Sequence, residues 1–284
     1  MDENTSLINI GELSKPATVL VEKISDAIGG LFKPYQIVRL AKAEAQADLV
    51  RAEGRIEISD LQRRAFHRFL EEEGKRQKNI EDITQKALPL LAEDSKPNEV
   101  EDDWITNFFD RCRLISDDEM QSLWSKVLAG EANSPGTYSK RTVNFLSDLD
   151  KSDAELFTRL CGFVWAIDNE LDPLIYDTDH QIYNAGGVSF SALIHLEGIG
   201  LVQFQQAGFQ VNEIPPDYNI SYYGRSFVLR PANEPENRIK IGNVVFAKVG
   251  RELAPICGSK PVNGFLEYIC KRLEGQGHII REKR

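Results

Sequence analysis

From Leu7 to Leu31 apolar residues recur at steps of three and four, with Val19, Leu20, Ile24, Ala27, Ile28 and Leu31 on one stripe, which predicts an amphipathic helix. Ser14 is placed to cap it, Pro16 fits its first turn, and Gly29-Gly30 followed by Pro34 closes it. From Tyr35 to Lys75 the chain is rich in Ala, Glu, Arg, Lys and Leu, with Gly54 as the interior breaker. That composition favours helix, and about forty such residues would make a rod of roughly 60 Å. The apolar positions, from Ile37 and Leu40 to Ala65 and Phe69, drift around the helix and hold no heptad. A strict coiled coil is therefore not expected. A thin apolar seam still needs a surface to lie against, and self-association is the expectation.

A shorter helix follows over Ile80 to Leu91, and then a polar linker, Glu93-Asp-Ser-Lys-Pro-Asn-Glu99, marks a boundary. Trp104, Phe108, Phe109 and Leu114 set the apolar face of the next block. Ser116-Asp-Asp-Glu119 reads as a capping box for a helix with Leu123, Trp124, Val127 and Leu128 inside. Asn133 to Gly136 breaks the chain, Ser139 can cap a helix through Leu149, and Ser152-Asp-Ala-Glu155 is a second capping box. The helix expected after it, through Leu156, Phe163 and Ile167, is apolar nearly all round, which predicts burial.

After Asp172-Pro173 the pattern shortens. Strand-like runs are read at Leu174 to Tyr176, Gln181 to Tyr183, Leu201 to Phe204, Tyr222 to Leu229 and Val244 to Ala247, with a last strand at His278 to Ile280. Ser189 to Gly198 reads as a short capped helix, and Val262 to Leu273 as a longer one.

Charge changes this picture little. The net charge of -10 argues against coating nucleic acid, which needs clustered Lys and Arg. Residues 1–100 carry 15 basic and 18 acidic groups, 101–173 carry 7 and 15, and 174–284 carry 12 and 11. The acidity thus sits in the middle. Cys112, Cys161, Cys257 and Cys270 form no C-x-x-C pair and read as buried thiols in a reducing compartment. The start, MDENTSLINI, has neither the basic nor the apolar region of a secretory signal. No run reaches the ~18–20 apolar residues that span a bilayer. A cytoplasmic location is expected. Residues 16–35 could instead rest on a membrane surface, but their polar face mixes Glu22 and Asp26 with Lys23. Docking on the chain's own domain is preferred.

Candidate chemistry is sparse. Glu101-Asp-Asp103 and Asp117-Asp-Glu119 precede helices, where carboxylates favour the N-terminal dipole. His67, His180, His195 and His278 stand singly, so neither a zinc site nor a catalytic triad is indicated. Gly258-Ser-Lys-Pro261 lacks the upstream glycine of a phosphate loop and reads as a turn. No catalytic residue and no cofactor is assigned, and an enzyme is not the favoured reading. Trp124 and Glu131, seven apart and so on one helical face, are taken with Lys140 and Arg141 as a candidate interaction surface. The two cations lie in a small basic spot, Ser139-Lys-Arg-Thr142, inside an acidic block.

Two phrases, Gly200-Leu-Val202 after a short helix and Ala247-Lys-Val-Gly-Arg-Glu-Leu253 after a strand pair, resemble a winged-helix unit. Such units often read DNA through a recognition helix. The matching helix here, Ser189 to Gly198, has no Lys or Arg, which predicts a protein partner for the C-terminal domain and makes nucleic acid unlikely. More broadly, Ile28-Gly-Gly-Leu-Phe-Lys-Pro34, Ala41-Lys-Ala-Glu-Ala45, Leu123-Trp-Ser-Lys-Val-Leu-Ala-Gly-Glu131, Pro135-Gly136, Ser139 to Thr142 and Asp153-Ala154 resemble the bacterial domain-of-unknown-function family 2806. Leu123 to Glu131 is also similar to abortive-infection alpha proteins, which implies a role in phage defence or stress.

The expected fold is mainly α: a long N-terminal helix and a helical domain, then a winged-helix-like α+β domain. Its expected divisions are 1–99, 100–172 and 173–284. The expected function is that of a non-enzymatic, oligomeric sensor or scaffold, the alternative being a winged-helix transcription regulator.

Overall fold

A computed structural model describes residues 13–29, 60–167, 170–232 and 238–283. The chain forms two compact units, residues 1–147 and 148–284. The division therefore falls between Ser147 and Asp148, inside the segment read as one helical domain.

The first unit is helical. Helix α1 (Lys15–Ile28) is capped as its sequence predicts, Ser14 Oγ accepting from Ala17 N–H. It buries Ala17, Leu20, Val21 and Ile24, and Lys23 donates to the Asn98 carbonyl at 2.8 Å. The apolar stripe of α1 is thus turned inward, onto its own unit. The predicted rod lies outside the described residues as far as residue 59. Its remainder belongs to α2 (Asp60–Ala87), which runs without a break through the expected gap at 76–79. Charged pairs at i,i+4 lace its exposed beginning, including Asp60–Arg64 at 3.1 Å and Arg68–Glu72 at 3.4 Å. Only its last third is inserted, with Asn79, Ile83, Thr84 and Ala87 buried.

Helices α3 (Asp102–Cys112), α4 (Asp118–Asn133) and α5 (Lys140–Ser147) complete the unit. Asp117, not Ser116, caps α4, its carboxylate accepting from Met120 N–H at 3.0 Å. Phe108 is the hub: its ring stacks on Trp104 and meets Trp124 edge-on, each at 5.1 Å.

The second unit mixes both element types. It opens with α6 (Lys151–Cys161), the hairpin of β1 (Val164–Ile167) and β2 (Glu170–Pro173), and two short helices, α7 (Gln181–Ala185) and α8 (Phe190–Gly198). Strands β3 (Val202–Val211), β4 (Tyr218–Tyr222), β5 (Arg225–Arg230) and β6 (Ile239–Phe246) come next. Helices α9 (Lys248–Leu253) and α10 (Phe265–Gly275) and strand β7 (Ile279–Glu282) end it. One antiparallel sheet has the order β2-β1-β4-β5-β7, and β3 pairs with β6 in a second.

The fold is therefore α+β, and the expectation of a mainly α protein with a long N-terminal helix is corrected. The correction has a local cause. Phe163 to Ile167 read as the end of a buried helix, but it leaves α6 at Gly162 and becomes a strand with partners on both sides. A short run apolar on every side suits a buried strand as well as a buried helix, and periodicity cannot separate them. Conversely, Gln181 to Tyr183 read as a strand and forms α7, capped by His180 Nδ1 accepting from Ile182 N–H. The run Tyr222 to Leu229 is split by a two-residue turn, Tyr223-Gly224, both at positive φ.

Candidate functional site

The four residues read as an interaction surface divide in two. Trp124 is wholly buried and Glu131 is 4% exposed, so both belong to the core of the first unit. Glu131 Oε1 accepts from Gly136 N–H at 2.6 Å and Oε2 from Tyr138 N–H at 2.8 Å. The Tyr138 carbonyl in turn accepts from Trp104 Nε1 at 2.7 Å. Glu131 thus folds the loop that holds Trp104 and is turned away from solvent. Lys140 and Arg141 remain on the surface, with Lys140 near Asp103 at 3.7 Å. The structure brings none of the four together as a site.

Among the described residues, no group of three or more His, Cys, Asp or Glu is placed to hold a metal. An apolar pocket of the second unit, lined by Trp165, Tyr176, Ile220, Leu229, Ile241 and Leu273, measures about 20 Å³. That is room for roughly one water and too little for a cofactor.

The more informative surface is α8. Ser189 Oγ accepts from Ala192 N–H at 3.3 Å and starts the helix. Leu193 and Leu196 are fully buried and fix its inner face. His195 Nε2 lies 2.8 Å from Asp153 Oδ1 on α6, and Glu197 accepts from Phe204 N–H at 2.8 Å on β3. These ties anchor the helix, and its outer face carries Phe190 and Ile194 beside Ser191 and His195. Phe190 is 51% and Ile194 41% exposed, one turn apart. Phe190 rests edge-on against Phe204 at 5.5 Å. The neighbouring strand presents Gln203, Gln205 and Gln206 to solvent. Phosphate recognition needs cations, and α8 carries no Lys or Arg.

The family model for "Protein of unknown function (DUF2806)" matches residues 63–270. The chain belongs to this family. The matched stretch runs from α2 into α10 and includes all of α8. No curated protein and no solved structure matches the chain. DUF2806 therefore supplies no functional residues, and α8 rests on its own geometry. Sequence reading found this helix and its missing cations. It did not find the exposed apolar pair, because Phe190 and Ile194 look like core until the buried face is assigned to Leu193 and Leu196.

Proposed function

We propose that this protein is a non-enzymatic, self-associating binding protein whose C-terminal unit holds a protein partner through α8, acting as a sensor or scaffold in bacterial phage defence or stress. The observation that carries the reading is the solvent-facing pair Phe190 and Ile194 on a helix without Lys or Arg. Self-association draws support from α2, where Leu61 is 68% and Phe69 56% exposed. Ala65, also exposed, lies one turn from each and completes an apolar seam. The defence setting rests on the resemblance of Leu123 to Glu131 to abortive-infection alpha proteins.

A DNA-binding regulator is the second reading. Its support is the run of α6, the β1-β2 hairpin, α7, α8 and β3, with β6 pairing to β3, which gives a winged-helix-like succession once β1, β4 and β5 are counted as additions to it. Two measurements on the full chain separate the readings. Titration with random duplex DNA at low salt is expected to show weak binding. Tight binding that falls steeply with salt would overturn the protein-partner reading. Sedimentation at micromolar concentration is expected to show a species larger than a monomer, and a monomer would overturn self-association.

A further inference from the structure

Two of the four cysteines, far apart in sequence, meet in the second unit. Cys161 ends α6 and is 1% exposed, whereas Cys257, just after α9, is half-buried. Each side chain is within interaction range of the other. The backbone around them is fastened at several points. Thr158, one turn before Cys161, donates from Oγ1 to the Cys257 carbonyl at 3.4 Å. The Tyr222 hydroxyl donates to the Gly162 carbonyl at 2.8 Å and accepts from Val262 N–H at 2.7 Å. The Tyr223 hydroxyl lies 3.1 Å from the Cys161 carbonyl oxygen and 2.6 Å from Ser259 Oγ.

Tyr223 holds this position at a cost. Its φ is +45°, at the first turn position of a hairpin that Asn or Gly would fill more easily. A left-handed backbone is strained for a residue with a bulky side chain. The turn therefore sacrifices local comfort and gains a hydroxyl wedged between the two cysteine-bearing segments.

Access differs between the sulfurs. Cys161 is sealed, and Cys257 adjoins an open depression lined by Thr158, Arg159, Gly258, Lys260 and Val262. The Cys161 thiol, the Ser259 hydroxyl and backbone N–H, and Thr158 favour negative charge on Cys257; burial opposes them, and the balance brings its thiol, which donates to the Ala254 carbonyl at 3.2 Å, down to about 6. Burial pushes the Cys161 thiol well up. The two sulfurs thus differ in exposure and in readiness to ionise.

We propose that Cys257 and Cys161 are a peroxide-oxidisable dithiol, with Cys257 the attacking sulfur and Cys161 the resolving one. The Cys257 thiolate attacks one oxygen of hydrogen peroxide; the O–O bond breaks and hydroxide leaves, taking a proton from solvent to become water. Cys257 becomes a sulfenic acid, oxidised by two electrons. The Cys161 sulfur then attacks the Cys257 sulfur, the S–O bond breaks, and the departing hydroxide takes the Cys161 proton as a second water. Two thiols and one hydrogen peroxide give one disulfide and two waters. The bond ties the end of α6 to the segment that leads into α10.

The test uses the reduced full-length protein, stoichiometric hydrogen peroxide at neutral pH, alkylation of the remaining thiols and non-reducing peptide mapping. Free thiols are expected to fall from four to two, with a single cross-link joining the Cys161 and Cys257 peptides that a phosphine reverses. Cys257 is expected to alkylate several-fold faster than Cys270, whose thiol burial pushes up. In Cys161→Ala, dimedone should trap a stable sulfenic acid on Cys257, and in Cys257→Ala Cys161 should stay reduced. The wild-type map decides the matter even if a variant fails to fold. Four intact thiols, first oxidation at Cys270, or a Cys257 sulfenic or sulfinic acid with Cys161 still free would each overturn the proposal.

Discussion

The Leu201 carbonyl receives the Ala247 N–H at 3.0 Å, and Gly250, one turn into α9, packs on the same oxygen so closely that a Cβ there would overlap it. The contact joins the start of β3 to the helix that follows β6. It brings together the two phrases, Gly200-Leu-Val202 and Ala247 to Leu253, that carry the winged-helix resemblance. Gly250→Ala, although it exchanges a poor helix former for the best one, is expected to destabilise the second unit by at least about 2 kcal/mol through overpacking against backbone. Gly275→Ala, at the end of α10 with nothing near its Cβ position, should be neutral or stabilise by up to about 1 kcal/mol. Denaturant melts of both variants, with hydrogen exchange to locate the transition, check the contrast. Equal midpoints would show that the Leu201 contact yields easily.

These residues also show how far the sequence reaches. Caps and amphipathic stripes are local, and α1, with Ser14 before it and Gly29 after it, needs nothing distant to be read. Sheet membership is not local. Phe163 to Ile167 becomes a strand because β2 and β4 lie on either side of it, and β4 arrives more than fifty residues later. The candidate site was half visible for the same reason. The absence of Lys and Arg from α8 is a property of the string. Which of its apolar residues face out depends on what Leu193 and Leu196 find beneath them. Cys161 and Cys257 carry no spacing signal at all, since only the folded path of α6 and the post-α9 segment makes them neighbours.

Asp172 ends a domain by its sequence pattern, yet it is 6% exposed and its Oδ1 accepts the Phe246 N–H at 2.8 Å. Arg251, partly exposed, lies 3.6 Å from its other oxygen. Burial pushes the carboxyl up, with the Phe246 N–H and Arg251 opposing. Because the folded value is raised, this group's contribution is fully present below the unfolded value of 3.8 and is lost as pH rises through the folded value. At neutral pH the acceptor is needed and the charge is a burden. Asp172→Asn should therefore stay within about 1 kcal/mol of wild type, whereas Asp172→Ala, which orphans a buried N–H, should lose about 1–3 kcal/mol. Urea titrations at pH 7 separate the two outcomes, and equal losses would mean that the charge itself is required.

Glu131 makes a complementary prediction in the first unit. Both carboxylate oxygens accept backbone N–H groups, from Gly136 and Tyr138. Glu131→Gln must turn an NH₂ toward one of those donors. A loss of about 1.5–3 kcal/mol is expected, the range for hydrogen bonds to a charged group. The damage should pass to Trp104, whose indole N–H is held by the Tyr138 carbonyl, and appear as faster exchange in peptides covering α3. Unchanged exchange there would uncouple the loop from the tryptophan.

His278 sets a pH limit on the second unit. It is 8% exposed, and Nδ1 accepts the Ala232 N–H at 3.1 Å. Burial pushes its pKa below 6.5, so the folded chain binds this proton less readily than the unfolded chain. Stability from the neutral ring is then fully present above 6.5 and is lost as pH falls below it toward the folded value. Protonation also removes the lone pair that holds Ala232, so charge and geometry act in the same direction. His278→Gln keeps an acceptor and cannot titrate. As pH falls below about 6.5 the wild-type unit should lose stability with a slope of up to about 1.4 kcal/mol per pH unit beyond that of the variant. Above pH 7 the two slopes should run parallel. Thermal or urea melts of both proteins across this range measure the difference. Parallel curves throughout would show that His278 is free to take up its proton without disturbing the strand it precedes.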